Sequence, residues 1–89
     1  MNIIICDDRI DDRKNLSDLL SDYGEKKNYE FAITEYDSGE QLCEEQSALE
    51  ACQILFLDIN MQGMDGLKTA MRIKEKYPKL PVVLVTAYM

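Results

Sequence analysis

A chain of 89 residues with 46% hydrophobic content is the size of one small domain with its own core, which argues against general disorder. Seventeen acidic against ten basic residues give a formal net charge of −7. Such a surface repels nucleic acid and anionic membrane, so no direct nucleic-acid binding and no membrane association are expected of this segment.

The first element is "NIIIC", residues 2–6, a short apolar run of β-branched residues that reads as a buried strand. Leu16, Leu19, Leu20 and Tyr23 follow at i, i+3, i+4 and i+7, one stripe of an amphipathic helix over 10–23, with Gly24 as its stop. In "YEFAITEY", residues 29–36, Tyr29, Phe31 and Ile33 alternate as in a second strand. Ser38 with Gln41 three residues later resembles a capping box, which opens a short helix through Leu42 and Cys43 whose end in "EEQSALEA" is not marked. Residues 53–58 form the third strand. A helix over 66–77 follows, with Asp65 as its cap and Pro78 just past its end, and "PVVLVTA", residues 81–87, makes the fourth strand. No repeat, linker or low-complexity tract interrupts this series.

Strands alternating with helices imply an α/β fold, a doubly wound parallel sheet with helices on both faces. Ligands of such sheets bind at the carboxyl ends of the strands. There the first strand ends in Asp7 and Asp8, the third in Asp58 and the fourth in Thr86. A strand order of 2-1-3-4 brings these side chains to one rim. Three crowded carboxylates repel unless a cation joins them, and Mg²⁺ suits hard oxygen ligands. A carboxylate beside Mg²⁺ can attack phosphorus, while a hydroxyl such as that of Thr86 donates a hydrogen bond to the phosphoryl oxygens. Taken singly, an acidic pair after a strand is more often a turn and helix cap, and Asp11 and Asp12 are read as helix-start residues. The joint placement at the strand ends carries the chemical reading.

Cys6, Cys43 and Cys52 are odd in number, show no metal-ligand spacing and are accompanied by no histidine, which argues against zinc and for reduced, packed thiols. No apolar run approaches the roughly 18 residues of a membrane span. The apolar run in "MNIIICDDR" is too short for a signal peptide. A cytoplasmic location is expected.

With "CDD" after the first strand, "FLDINMQGMDG" after the third and "VTAY" after the fourth, the chain resembles a response-regulator receiver domain of two-component signalling over its whole length. The resemblance implies a flavodoxin-like receiver fold and a signalling module rather than an enzyme. It implies that Asp58 accepts a phosphoryl group from a sensor histidine kinase and relays the signal to an effector domain. It also implies that Asp7, Asp8, Asp58 and the backbone carbonyl of Asn60 hold Mg²⁺, and that Thr86 binds the phosphoryl group and acts as a switch. The wording of the two loops looks most like receivers fused to LytTR-type DNA-binding domains, which points to transcription regulation.

Two departures stand out. Gln62 occupies a place where the family usually has proline. A typical receiver also continues with a further helix, a fifth strand and a last helix, so residues 1–89 read as a carboxy-terminally truncated receiver without the effector. The family's phosphate-binding lysine and aromatic switch residue belong to that later part, and Lys79 precedes the fourth strand. The alternative is therefore a receiver-like interaction module that has lost the reaction. Hydrolases resembling the haloacid dehalogenase family place a second aspartate two positions after the nucleophile, whereas Arg9 and Ile10 follow "DD" here. The apolar strand 81–87, with an unpaired edge, implies a homo-oligomer.

Overall fold

The computed structural model describes residues 1–61, 63 and 65–86. Its elements are β1 (Asn2–Cys6), α1 (Ile10–Lys27), β2 (Ala32–Tyr36), α2 (Gly39–Glu44), α3 (Gln46–Ala51), β3 (Ile54–Asp58), α4 (Gly66–Lys76) and β4 (Val82–Val85). All strand pairs are parallel, as the alternation of strands and helices implies, and the order is β2-β1-β3-β4, the one expected of a receiver-like sheet.

Alternate residues of the central strands serve opposite faces. Ile4, Cys6, Leu55 and Leu57 join Leu42 of α2, Leu49 of α3 and Ile73 of α4 in the main core. Ile5 and Phe56 face the other way, toward Leu16 and Leu19 of α1. Only α1 covers that second face among the described residues, and Leu19 and Tyr23 of its apolar stripe stay 66% and 50% exposed.

Several boundaries differ from the sequence reading, each for a local reason. The first helix does not stop at Gly24 but runs on to Lys27. Gly24 is where the helix meets the following segment: a Cβ there would lie 3.0 Å from Phe31 Cδ2 and 3.1 Å from the Tyr29 carbonyl oxygen. The helix ends at Asn28, which adopts the left-handed conformation at φ 61°. The Tyr29 N–H then donates to the Gly24 carbonyl at 2.7 Å, so Tyr29 closes the helix instead of opening a strand. β2 accordingly starts at Ala32, whose N–H donates to the Met1 carbonyl.

Ser38 Oγ accepts the Gln41 N–H at 3.1 Å, as the capping pattern implies. The helix it opens breaks at Glu45, where the backbone departs from helical angles, and a second helix follows. β3 begins one residue later than expected, at Ile54; Gln53 before it donates its N–H to the Asn2 carbonyl and accepts the Asn2 N–H on its side-chain oxygen. α4 ends at Lys76, with Tyr77 as its cap, and Lys74 Nζ donates to the carbonyls of Pro78 and Leu80 to hold the turn into β4. The described strand β4 covers 82–85, Thr86 follows it, and Ala87 of the expected strand lies outside the described residues, as do Gln62 and Tyr88.

The approach of α4 to the end of β3 is close. Asp65 Oδ1 caps the helix by accepting the Lys68 N–H at 2.8 Å, and the Gly66 N–H donates to the Ile59 carbonyl at 3.0 Å. A Cβ on Gly66 would overlap the Asp58 carbonyl oxygen and lie 2.6 Å from Ile59 Cα. Gly66 is thus required by contact with the strand that carries Asp58. Gly66→Ala should lower stability by about 2 kcal/mol or more, the scale of forced overpacking, measurable by urea unfolding.

Candidate metal centre

Parallel pairing sets the geometry of the rim. Cys6 of β1 is in register with Leu57 of β3, so the next residues, Asp7 and Asp58, come out side by side. Asp58 is in register with Val85, which leaves Thr86 one position beyond on the neighbouring strand. One carboxylate oxygen each from Asp7, Asp8 and Asp58 lies within 4.8 Å of the others. Asp7 and Asp58 are 7% and 4% exposed, and Asp8 is half-buried.

Main-chain contacts hold Asp7 from three directions. Its N–H donates to the Tyr36 carbonyl of β2 at 3.1 Å, its carbonyl accepts from Arg13 Nη1 at 2.9 Å, and its Oδ1 accepts the Arg9 N–H at 2.9 Å. Arg13 Nε also pairs with Glu35 of β2 at 3.1 Å, which fastens α1 across the sheet. Asp58 Oδ1 accepts the Asn60 N–H at 3.2 Å, and the Ile59 N–H donates to the Val85 carbonyl at 3.0 Å. Beneath the loop, the Cys6 thiol donates to the Met61 sulfur at 3.8 Å, and both side chains are buried. Burial, with help from neighbouring Asp7, pushes the Cys6 thiol up to about 12, so it packs as an inert hydrophobe. The three cysteines are free thiols.

The electrostatic consequence falls on Asp7. Burial first, then the charges of Asp58 and Asp12, raise its carboxyl from the ordinary 3.8 to about 6, against the opposing hydrogen bond from Arg9. Three carboxylate oxygens so close suit a hard divalent cation, and the hard-oxygen donor set fits Mg²⁺.

Of the residues expected at the site, Asp7, Asp8 and Asp58 therefore converge, Thr86 lines the same cavity as Asp7 and Asp58, and Asn60 is joined to Asp58 through its N–H. The sequence reading missed Asp12. It lies in the first turn of α1 and lines this cavity together with Asn15 and Leu16. Its signal was its spacing of four residues before Leu16, which puts it on the sheet-facing side of the helix.

The family model for the response regulator receiver domain matches residues 3–89. The chain is 38% identical over 79 residues to the response regulator protein FleR of Pseudomonas aeruginosa, covering 89% of this chain and 16% of FleR. It is 38% identical over 55 residues to the DNA-binding transcriptional regulator NtrC of Escherichia coli K12, covering 62% of this chain and 12% of NtrC. Among solved structures, the response regulator TrrA of Thermotoga maritima in complex with Mg²⁺ and BeF superposes with a TM-score of 0.83 at 28% identity, over 98% of this chain and 70% of that one. The parallel sheet with its acidic rim is the CheY-like, flavodoxin-type fold. The chain belongs to the response regulator receiver domain family. It spans about a sixth of the length of FleR and less of NtrC.

The crowded rim makes metal binding and pH interdependent. Because the folded state raises the Asp7 carboxyl to about 6, it binds more protons than the unfolded chain between 3.8 and about 6. Metal-free stability from this group is therefore greatest at low pH and declines as the pH rises through that window. A divalent cation at these oxygens would bind the ionised form, so Mg²⁺ should raise the melting temperature clearly at pH 7.5 and much less at pH 5. Thermal melts with and without millimolar-range Mg²⁺ at the two pH values check this, and Asp58→Asn should shrink the shift at pH 7.5.

Proposed function

We propose that this chain is the phosphoacceptor module of a two-component response regulator, which takes a phosphoryl group onto Asp58 from a sensor histidine kinase. The observation that carries the reading is the convergence of Asp58 with Asp7 and Asp8 at the carboxyl end of a receiver-type sheet, with Thr86 on the next strand. In the transfer, an Asp58 carboxylate oxygen forms the bond to phosphorus as the bond from phosphorus to the donor's imidazole nitrogen breaks. Asp7, Asp8 and Asp58, with the Asn60 carbonyl, would hold Mg²⁺, and the metal would supply positive charge to offset that of the phosphoryl oxygens. Thr86 donates its hydroxyl to the phosphoryl group. The structure of TrrA with Mg²⁺ and BeF supports this reading of the acidic rim.

As a receiver, the segment passes the signal to an effector domain. NtrC, a DNA-binding transcriptional regulator, supports a transcriptional effector, whereas the relatives found do not support the LytTR-type subgroup. Residues 1–89 would then be the receiver portion of a longer regulator in the cytoplasm. No helix among the described residues is long and apolar enough to cross a membrane.

Treatment with acetyl phosphate and Mg²⁺, followed by mass spectrometry of peptides, tests the assignment. A single phosphoryl adduct on Asp58, abolished by Asp58→Asn, is the expected outcome, and its absence under prolonged treatment favours an unreactive interaction module.

We further infer self-association through β4. That strand pairs with β3 on one side only among the described residues, and Val83 and Leu84 are 43% and 42% exposed. Unpaired backbone groups beside apolar side chains recruit another strand. Sedimentation at rising concentration should show a dimer, and Val83→Lys should return it to monomer.

A further inference from the structure

Both main-chain polar groups of Asp7 are set from β2. Its N–H donates to the Tyr36 carbonyl at 3.1 Å. Its carbonyl accepts from Arg13 Nη1 at 2.9 Å, and Nε of the same guanidinium pairs with Glu35 at 3.1 Å. Glu35 and Tyr36 are adjacent on β2, in register with Ile5 and Cys6. The Arg13 side chain is only 15% exposed, and neither of these bonds goes to a carboxylate of the acidic group. The carbonyl that Arg13 holds belongs to the peptide joining Asp7 to Asp8. That unit is planar, so restraining its oxygen also restrains the nitrogen and Cα of Asp8. One guanidinium bond thus steadies the backbone from which two of the three converging acids project.

Charge alone does not account for Arg13 at this place. A cation close to a metal site repels the metal. Lysine would bring the same charge, but not two donors held at a fixed angle in one plane. The fork is what lets one side chain bond the Asp7 carbonyl while Glu35 aims it. We propose that Arg13 is a positioning residue for the metal centre, which orients the Asp7–Asp8 peptide for Mg²⁺, and that Glu35 acts through it by aiming the guanidinium. The proposal rests on the reading of Asp7, Asp8 and Asp58 as a Mg²⁺ site.

The experiment is a titration with magnesium chloride at pH 7.5 and constant ionic strength, read by the amide NMR signals of Asp58 and Asn60, with metal-free thermal melts to check folding. Arg13→Lys keeps the charge and loses the fork. It should weaken Mg²⁺ binding about tenfold or more, the scale of removing a group that orients a metal ligand. Arg13→Gln removes a positive charge, which by electrostatics alone would tighten Mg²⁺ binding. Weaker binding is expected instead. Glu35 has a side chain 39% exposed on an edge strand, so Glu35→Gln tests the pair without disturbing the core. It should weaken Mg²⁺ binding by itself and add nothing to Arg13→Lys, because a residue that acts through another is not additive with it. In the metal-free chain, Arg13→Lys and Glu35→Gln should both move the carbonyl carbon-13 signal of Asp7. Unchanged binding by Arg13→Lys, unchanged or tighter binding by Arg13→Gln, or additive losses in the double variant would each overturn the proposal while leaving the metal centre in place. No saturable response of the unaltered chain would instead remove the metal centre, and the proposal with it.

Discussion

Everything at the carboxyl rim depends on like charges that the sheet forces together. Asp7 and Asp58 follow paired residues of adjacent parallel strands, so neither can retreat without breaking the β1–β3 ladder. Two unit charges about 5 Å apart repel by about 3 kcal/mol at an effective dielectric of about 20. The apolar run Ile3–Cys6 and the core residues Leu55 and Leu57 hold the ladder against that repulsion. Relief comes by proton uptake or by a cation. The raised carboxyl of Asp7 is the mark of the first route, and the convergent oxygens of Asp7, Asp8 and Asp58 suit the second. A site whose resting state is strained by charge responds strongly to any change in that charge.

The two faces of the sheet divide the work. The face carrying Ile4, Cys6, Leu55 and Leu57 is closed by three helices and supports the loop after Asp58 from below, through Met61 and the close seat of Gly66. The face carrying Ile5 and Phe56 is closed by α1 alone among the described residues and keeps a cavity next to the same carboxylates. One side thus fixes the position of Asp58, and the other leaves room beside it. The hydrogen bonds of Asp7 to Tyr36, Arg9 and Arg13 serve the first purpose, since they freeze the backbone where the charges meet.

The strands and the acids that follow them were legible because they rest on features that short-range pattern carries well, whereas the order of the strands came from the resemblance to receivers. The apolar runs 3–6, 54–57 and 82–85 leave little choice but strands, although Val83 and Leu84 of the last stay exposed, and Asp7, Asp58 and Thr86 sit immediately after them. Gly24 was misread because a glycine that allows close packing looks the same in sequence as one that ends a helix. Only the contact with Phe31 and Tyr29 tells them apart. Tyr29 alternates with Phe31 and Ile33 as a strand residue would, but its N–H was already engaged by the helix end. Asp12 was hidden for a related reason. An acid in the first turn of a helix has a sufficient local explanation in the helix dipole, so nothing in the sequence called for a second role. Its burial against the rim is a tertiary fact.

The path from the rim to the surface is short. Ile59, next to Asp58, donates its N–H to the carbonyl of Val85, and Thr86 is the next residue along. β4 therefore carries the proposed phosphoryl-binding hydroxyl at its end and the exposed side chains of Val83 and Leu84 along its length. In the proposed transfer, Thr86 would meet the new charge on Asp58 at the end of this strand, which among the described residues pairs with β3. The opposite edge strand, β2, is tied to α1 by Arg13 and Glu35 and to the amino terminus by Ala32 and Met1.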